Sequence, residues 1–406
     1  MNDFDVRPIA EGERRAVHGL LAEALHGSPP DDEAWAKVGP SFPADRTFGA
    51  FDGATPIGMT SSFATALAVP GGKTLPAAAV DGVAVRADHT RRGVVTALLT
   101  EQLRDCVRRG DLLASLHASE ATIYGRFGYG VAVLGQDLRI VTARAALRPE
   151  VPSSGRVRLL DGDEAISRVP GLYRRIGLHR PGMILRPGLW WPGYHDRLVR
   201  GGGGDYRVAV HIGTDGEDGF VVFRAIDQRT HDDPERGAVL AVRDLHAADP
   251  AALAGLWRFL IGMDLTDEIR APMRPLDEPL RAMVVDARAV QTTGVGDHTW
   301  LRLLDAGAAL AARTYREAPP VVLGLEDRLL PENTGAYRIS PDGAVRTEAP
   351  AQLRMDAEVL AMLYLGEWTA SALAGAGRIT VSDPAALPAA DELFRTGARP
   401  WCGTYF

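Results

Sequence analysis

The alternation of apolar and polar positions divides the chain into three regions. Near the N-terminus, Glu13 to Leu25 reads as an amphipathic helix, and short apolar runs follow at Thr47–Phe51 and Ile57–Phe63. Val80–Val85 predicts a strand. From Val94 to Arg108 the apolar positions Val95, Leu98, Leu99, Leu103 and Cys106 recur at three- and four-residue spacing, which predicts a helix. A further strand is expected at Leu134–Val141, and Ala146–Arg156, with two prolines and Ser153–Gly155, reads as a linker.

Between about residues 157 and 290 a second α/β pattern appears. Strands are expected at Tyr206–Ile212, Gly219–Ala225 and Ala238–Leu245, and a helix at Ala251–Ile261. The glycine run Gly201–Gly204 reads as a loop, and no Lys-Ser/Thr pair follows it to make a phosphate loop. A strand, a connector and a helix therefore occur twice, and only the first copy carries Arg-Arg-Gly at its turn. The two runs read as an internal repeat; the competing reading is chance likeness between two βα units. From about Gly296 the pattern changes again. Strands are expected at Leu301–Leu304, Val321–Leu325 and Gln352–Met355, and helices at Ala357–Leu365 and Pro384–Leu393. The expected fold class is α/β with a small α+β unit at the end, in domains 1–150, 151–292 and 293–406.

Composition narrows the partners. The 406 residues are 46% hydrophobic and 24% charged, as in ordinary globular proteins, and their number allows two to four domains. A net charge of −7 disfavours nucleic acid. No run reaches the roughly 18 apolar residues of a membrane span, and none resembles a signal peptide after Asp3 and Asp5. Cys106 and Cys402 alone make no disulfide framework, so a cytoplasmic location is expected. His179, His195 and His211 lack the close spacing of a metal site, and no metal is expected.

The chemistry concentrates in Val80-Asp-Gly-Val-Ala-Val-Arg-Ala-Asp-His-Thr-Arg-Arg-Gly-Val-Val-Thr96. An apolar strand feeds a short basic loop, and a helix starts directly after Gly93. The N–H groups of a helix start, joined by Arg91 and Arg92, suit phosphate oxygens. The strand before them suits an extended amide-bearing chain added at its edge. A diphosphate joined to pantetheine satisfies both. The loop Thr90-Arg91-Arg92-Gly93-Val94-Val95 resembles the acetyl-CoA loop of the GNAT acetyltransferases. Thr90 stands where Gln or Arg is usual, and Val95 where a small residue is usual.

A second run, Leu116-His-Ala-Ser-Glu-Ala-Thr-Ile-Tyr-Gly-Arg-Phe-Gly-Tyr-Gly130, resembles the signature of the enhanced intracellular survival (Eis) acetyltransferases. The similarity extends along nearly the whole chain, including Tyr364-Leu-Gly366 and the aromatic last residue Phe406. It implies two GNAT-like units, the second without acetyl-CoA, then a sterol-carrier-protein-like domain, assembled as a homohexamer. Carried over by residue, it implies Tyr124 as general acid and the Phe406 carboxylate as base. Val83, Ala84 and Val85 would contact pantetheine; Arg91, Arg92, Gly93, Val94 and Val95 would hold the pyrophosphate. Ser119 would touch the cofactor arm, and Trp35, His117 and Tyr405 would line the substrate pocket.

The family's best-known member has an acidic residue where Tyr405 stands here, which bears on recognition of aminoglycosides. The implied acceptor is a primary amine of an aminoglycoside-like molecule, another polyamine or a lysine side chain. The rival readings are a protein lysine acetyltransferase and non-enzymatic binding of an apolar ligand by the third domain. From the residues alone, Tyr124 also reads as a core aromatic beside Phe127 and Tyr129, His117 as a hydrogen-bonded core histidine, and Trp35 as helix packing.

Overall fold

The computed structural model describes residues 3–195, 206–230, 233 and 236–406, so the expected loop at Gly201–Gly204 lies outside the described residues. Among the described residues, twelve strands form one sheet. They are β1 (Asp5–Pro8), β2 (Thr47–Asp52), β3 (Thr55–Ala68), β4 (Thr74–Val85), β5 (Leu113–Leu116), β6 (Gly130–Val141), β7 (Arg156–Leu160), β8 (Arg207–Gly213), β9 (Gly216–Ile226), β10 (Ala238–Ala247), β11 (Thr266–Arg274) and β12 (Val290–Leu303). Helices α1 (Arg14–Ala24), α2 (Asp32–Val38), α3 (Val94–Arg108), α4 (Gly162–Ile176), α5 (Trp190–His195) and α6 (Pro250–Ile261) accompany them. Helix α3 has the predicted bounds, and Val94, Leu98, Leu99, Leu103 and Cys106 form its buried stripe.

The strand order is β1-β2-β3-β4-β5-β12-β6-β11-β10-β9-β8-β7. Read from its two edges, the sheet repeats one plan. β4–α3–β5 and β10–α6–β11 are its two parallel pairs among the described residues, each joined by a crossover helix. The repeat seen in the sequence is therefore structural. At the centre the units exchange their last strands: β12 lies beside β5 of the first unit, and β6 lies beside β11 of the second. This corrects one expectation. Leu301–Leu304 does not open the third domain, because β12 runs from Val290 to Leu303 inside the large sheet.

After a one-turn helix, α7 (Leu280–Met283), and β12, the chain leaves the sheet. A separate five-stranded sheet has the order β15-β14-β13-β16-β17, built from β13 (Val321–Glu326), β14 (Gly335–Ser340), β15 (Gly343–Thr347), β16 (Leu353–Asp356) and β17 (Thr380–Val381). Helices α8 (Ala306–Ala312), α9 (Ala357–Tyr364), α10 (Ala370–Gly375) and α11 (Ala386–Phe394) surround it. Helix α9 is apolar on nearly every face and buried, packed between its own sheet and the β6–β12 seam. One hydrophobic cluster runs from Phe63 and Leu67 through Phe220 to Leu363 and Phe394, so the third domain shares a core with both units.

Candidate active site

A wedge opens where two parallel strands part. β4 and β5 pair only from Ala77 with Leu113 to Val80 with Leu116. β5 ends there, while β4 bulges at Asp81 and runs on to Val85, held by β3 on its other side. Among the described residues no strand covers the freed edge of Val83, Ala84 and Val85. Its backbone groups are thus available to an amide-bearing chain.

Beyond β4 the backbone is left-handed at Arg91 (φ +61°) and Gly93 (φ +83°), which turns the chain abruptly into α3. Gly93 has no side chain to cap the helix, so the first-turn N–H groups of this 15-residue helix stay uncapped. Arg91 and Arg92 are exposed and, among the described residues, make no ion pair. Val94 is buried beneath the loop, and Val95 is half-buried. The Thr90 hydroxyl donates to the Ala87 carbonyl (3.2 Å) and so serves the turn itself. An uncapped helix start with two unpaired guanidinium groups, following a bare strand edge, fits a diphosphate joined to pantetheine.

Tyr124 stands in the segment between β5 and β6, with its ring 6.1 Å from Tyr129 and 6.3 Å from Trp300. It belongs to the cluster against which Val83 and Val95 pack, two of the residues expected to hold the cofactor. Burial raises its pKa, which keeps the phenol a proton donor at pH 7. Gly125, Gly128 and Gly130 explain the glycine-rich signature. Side chains there would collide with Glu358, Arg302 and the Glu358 backbone respectively, so glycine lets α9 lie directly on the segment.

The C-terminal tail reaches this wedge from the second unit. The Phe406 ring packs 4.6 Å from His117 and 5.7 Å from Phe63. His117 directly follows β5, and its Nε2–H donates to the Thr404 carbonyl (3.0 Å). Burial lowers the His117 pKa to about 4, against the opposing pull of that carbonyl, so the ring is neutral at pH 7. The His298 ring lies 4.9 Å from His117, and burial holds its pKa well below the ordinary value. The predicted His117, Tyr405 and Phe406 therefore meet, and Ser119, two residues along the chain from His117, is exposed. Trp35 lies on α2, which packs against α5, the helix that carries Trp190 and Tyr194. Its ring packs 5.3 Å from His18 and under the Arg14 guanidinium of α1.

A cavity of about 380 Å³ adjoins the tail, lined by Tyr405, His298, Trp190, Tyr194, Trp401 and Arg243, with Asp244 and Arg274 at its back. Several of these residues were not singled out from the sequence. Arg186, Asp244, His298 and Thr404 lie in separate segments. The one local signal is Arg243-Asp244, two charges in an apolar strand, where β10 bulges. Cys106 and Cys402 are both buried, which pushes their thiols up to about 12 and about 11; neither is a nucleophile at pH 7.

Comparison with known proteins agrees with this architecture. Residues 5–132 and 182–303 each match a family described as an acetyltransferase (GNAT) domain, and residues 306–403 match a sterol carrier protein domain. An N-acetyltransferase of Streptomyces avermitilis is 35% identical, over 100% of this chain and 99% of its own length. The N-acetyltransferase Eis of Mycobacterium tuberculosis is 33% identical over 90% of each chain. The crystal structure of Eis1 from Mycobacterium abscessus superposes with a TM-score of 0.90 at 36% identity, covering 99% of this chain and 100% of that one. With two GNAT units, a sterol-carrier-like domain and relatives of this closeness along its whole length, the chain belongs to the Eis family of GNAT N-acetyltransferases.

Proposed function

We propose that the enzyme transfers acetyl from acetyl-CoA directly to a primary amine at the first wedge, with Tyr124 as general acid and the Phe406 carboxylate as base. The GNAT fold implies acetyl-CoA as cosubstrate. The free edge of Val83–Val85 would take the pantetheine amides. Arg91, Arg92 and the N–H groups from Gly93 to Val95 would take the diphosphate, with Ser119 beside the arm. The observations that support the reading are that the bare β4 edge and Tyr124 share one cluster, and that the last residue packs on His117, directly after β5.

A primary amine of lysine type has a pKa of about 10.4 and arrives protonated. The terminal carboxylate, ionised at pH 7, attracts it and accepts its proton, directly or through water. The amine nitrogen attacks the thioester carbonyl, the C–S bond breaks, and Tyr124 protonates the departing sulfur. Holding both reactants in one cleft supplies much of the acceleration.

We place the acceptor in the cavity beside Tyr405 and His298. In its wall Arg186 is neutralised by Asp244, and Arg274 by Glu278, which leaves exposed Arg243 as net positive charge. This lining favours an amine on an aromatic or apolar body over a polycationic aminoglycoside. A cytoplasmic homohexamer belongs to the same proposal, and light scattering tests the assembly. The test of mechanism is Tyr124→Phe, expected to lower kcat by about 10²–10⁴ with little change in acetyl-CoA affinity. Unchanged turnover removes Tyr124 from the scheme. Comparing aromatic monoamines, aminoglycosides and lysine peptides as acceptors tests the substrate class.

A further inference from the structure

We propose that the wedge of the second unit is an internal receptor for the chain's own C-terminus, in which Arg186, Asp244 and Thr404 act as positioning residues for the Phe406 carboxylate. The inference rests on reading that carboxylate as the base.

The second wedge opens as the first does. β10 leaves β11 after Ala241 and bulges at Arg243, as β4 leaves β5 after Val80 and bulges at Asp81. Counted from the bulges, Leu245 takes the place of Val83. Here the strand edge is closed, because Arg274 donates to the Leu245 carbonyl (2.9 Å) and is itself paired with Glu278. The helix start is closed too: the Asp249 carboxylate caps α6 by accepting from Ala251 N and Ala252 N. A carboxylate there occupies the anion site and repels phosphate.

The wedge holds the tail instead. Residues 401–406 have no regular secondary structure, yet Trp401, Cys402 and Thr404 are buried. The Trp401 indole donates to the Met273 carbonyl (2.8 Å). Arg186 donates Nη2–H to the Gly403 carbonyl (3.1 Å) and Nε–H to Thr404 Oγ1 (3.0 Å). Arg186 is fixed in turn by both Asp244 oxygens (2.6 and 3.2 Å), and the Tyr194 hydroxyl donates to Asp244 Oδ2 (2.7 Å). Thr404 is thus held from both units, by Arg186 at its side chain and by His117 at its carbonyl, two residues before Phe406. A chain end ordinarily frays. A buried ion pair adds little net stability over apolar filling of the same shape, and what it supplies here is a fixed geometry.

The test uses the full-length enzyme with acetyl-CoA and an accepted amine. Thr404→Val keeps the branched shape but removes the acceptor for Arg186. Its kcat should fall by about tenfold or more at unchanged KM for acetyl-CoA, since small misplacement of a reacting group is costly. Its rate should also become more dependent on high pH, where the amine loses its proton unaided. Thr404→Ser should restore both. If Thr404→Val does not fold, Thr404→Ala against Thr404→Ser gives the same comparison. Wild-type kcat and pH profile in a folded hydroxyl-less variant overturn the proposal. A one-residue extension beyond Phe406 separates the two readings. If the extended enzyme is inactive while Thr404→Val is normal, the base stands and the positioning role falls. If the extended enzyme is fully active, the base itself is refuted.

Discussion

The contact between the third domain and the Tyr124 segment can be probed by adding one methyl group. A Cβ at position 130 would collide with the Glu358 carbonyl and lie 2.8 Å from Met362 Cγ and 3.0 Å from Met362 N. Two of the three obstacles are backbone atoms of α9, so no side-chain rotation relieves them. Restoring van der Waals separation moves α9 and the start of β6 apart by about 1 Å. Overpacking of this kind costs about 1–3 kcal/mol. A displacement of about 1 Å next to a reacting group lowers the rate by about 10². Gly130→Ala should therefore reduce kcat about 100-fold, with acetyl-CoA affinity nearly unchanged because the Arg91–Val95 loop lies elsewhere. The matched control is Gly171→Ala, at an exposed position of α4 where an added Cβ meets nothing within 4 Å. It should stabilise the fold by about 0.5–1 kcal/mol and leave turnover alone. Thermal unfolding and steady-state kinetics on both variants decide the matter. Wild-type turnover in Gly130→Ala would show that docking of α9 does not set the position of Tyr124.

Other outcomes follow from the same structure. Arg91→Ala and Arg92→Ala should each raise the KM for acetyl-CoA about tenfold, equivalent to about 1.4 kcal/mol, with kcat retained; isothermal titration with coenzyme A checks the loss directly. Arg302 donates to both oxygens of Asp327 (2.7 Å each) with both side chains buried, so Arg302→Ala strands a buried carboxylate. It should destabilise the protein by about 3–5 kcal/mol in denaturation experiments. Half-buried His117 and buried His298 have folded pKa values below the ordinary imidazole value, so the unfolded chain binds protons that the folded chain refuses. Their stabilising contribution is complete above about pH 6.5 and is lost as pH falls toward 4. The melting temperature should therefore drop between pH 6.5 and 5, and less steeply in His117→Asn; equal slopes would contradict this assignment.

The chain's own order of residues determined whatever depends on near neighbours. The strand ending at Val85, the Arg91-Arg92-Gly93 turn and helix α3 follow from alternation, a left-handed glycine position and three- to four-residue spacing. The doubled strand–helix plan was legible for the same reason, and the run around Tyr124 marked its segment. Other features depended on which distant surfaces bury one another. β12 and β6 change partners between units, although nothing local in Val290–Leu303 distinguishes a strand of the large sheet from one of a third domain. Trp35 sits on a short helix, and only its docking against α5 brings the ring to His18 and Arg14. Arg186, Asp244 and Thr404 are spread over more than half the chain and become one cluster because the tail enters the second wedge. Periodicity reports which side of an element is buried; only the closed fold decides against what.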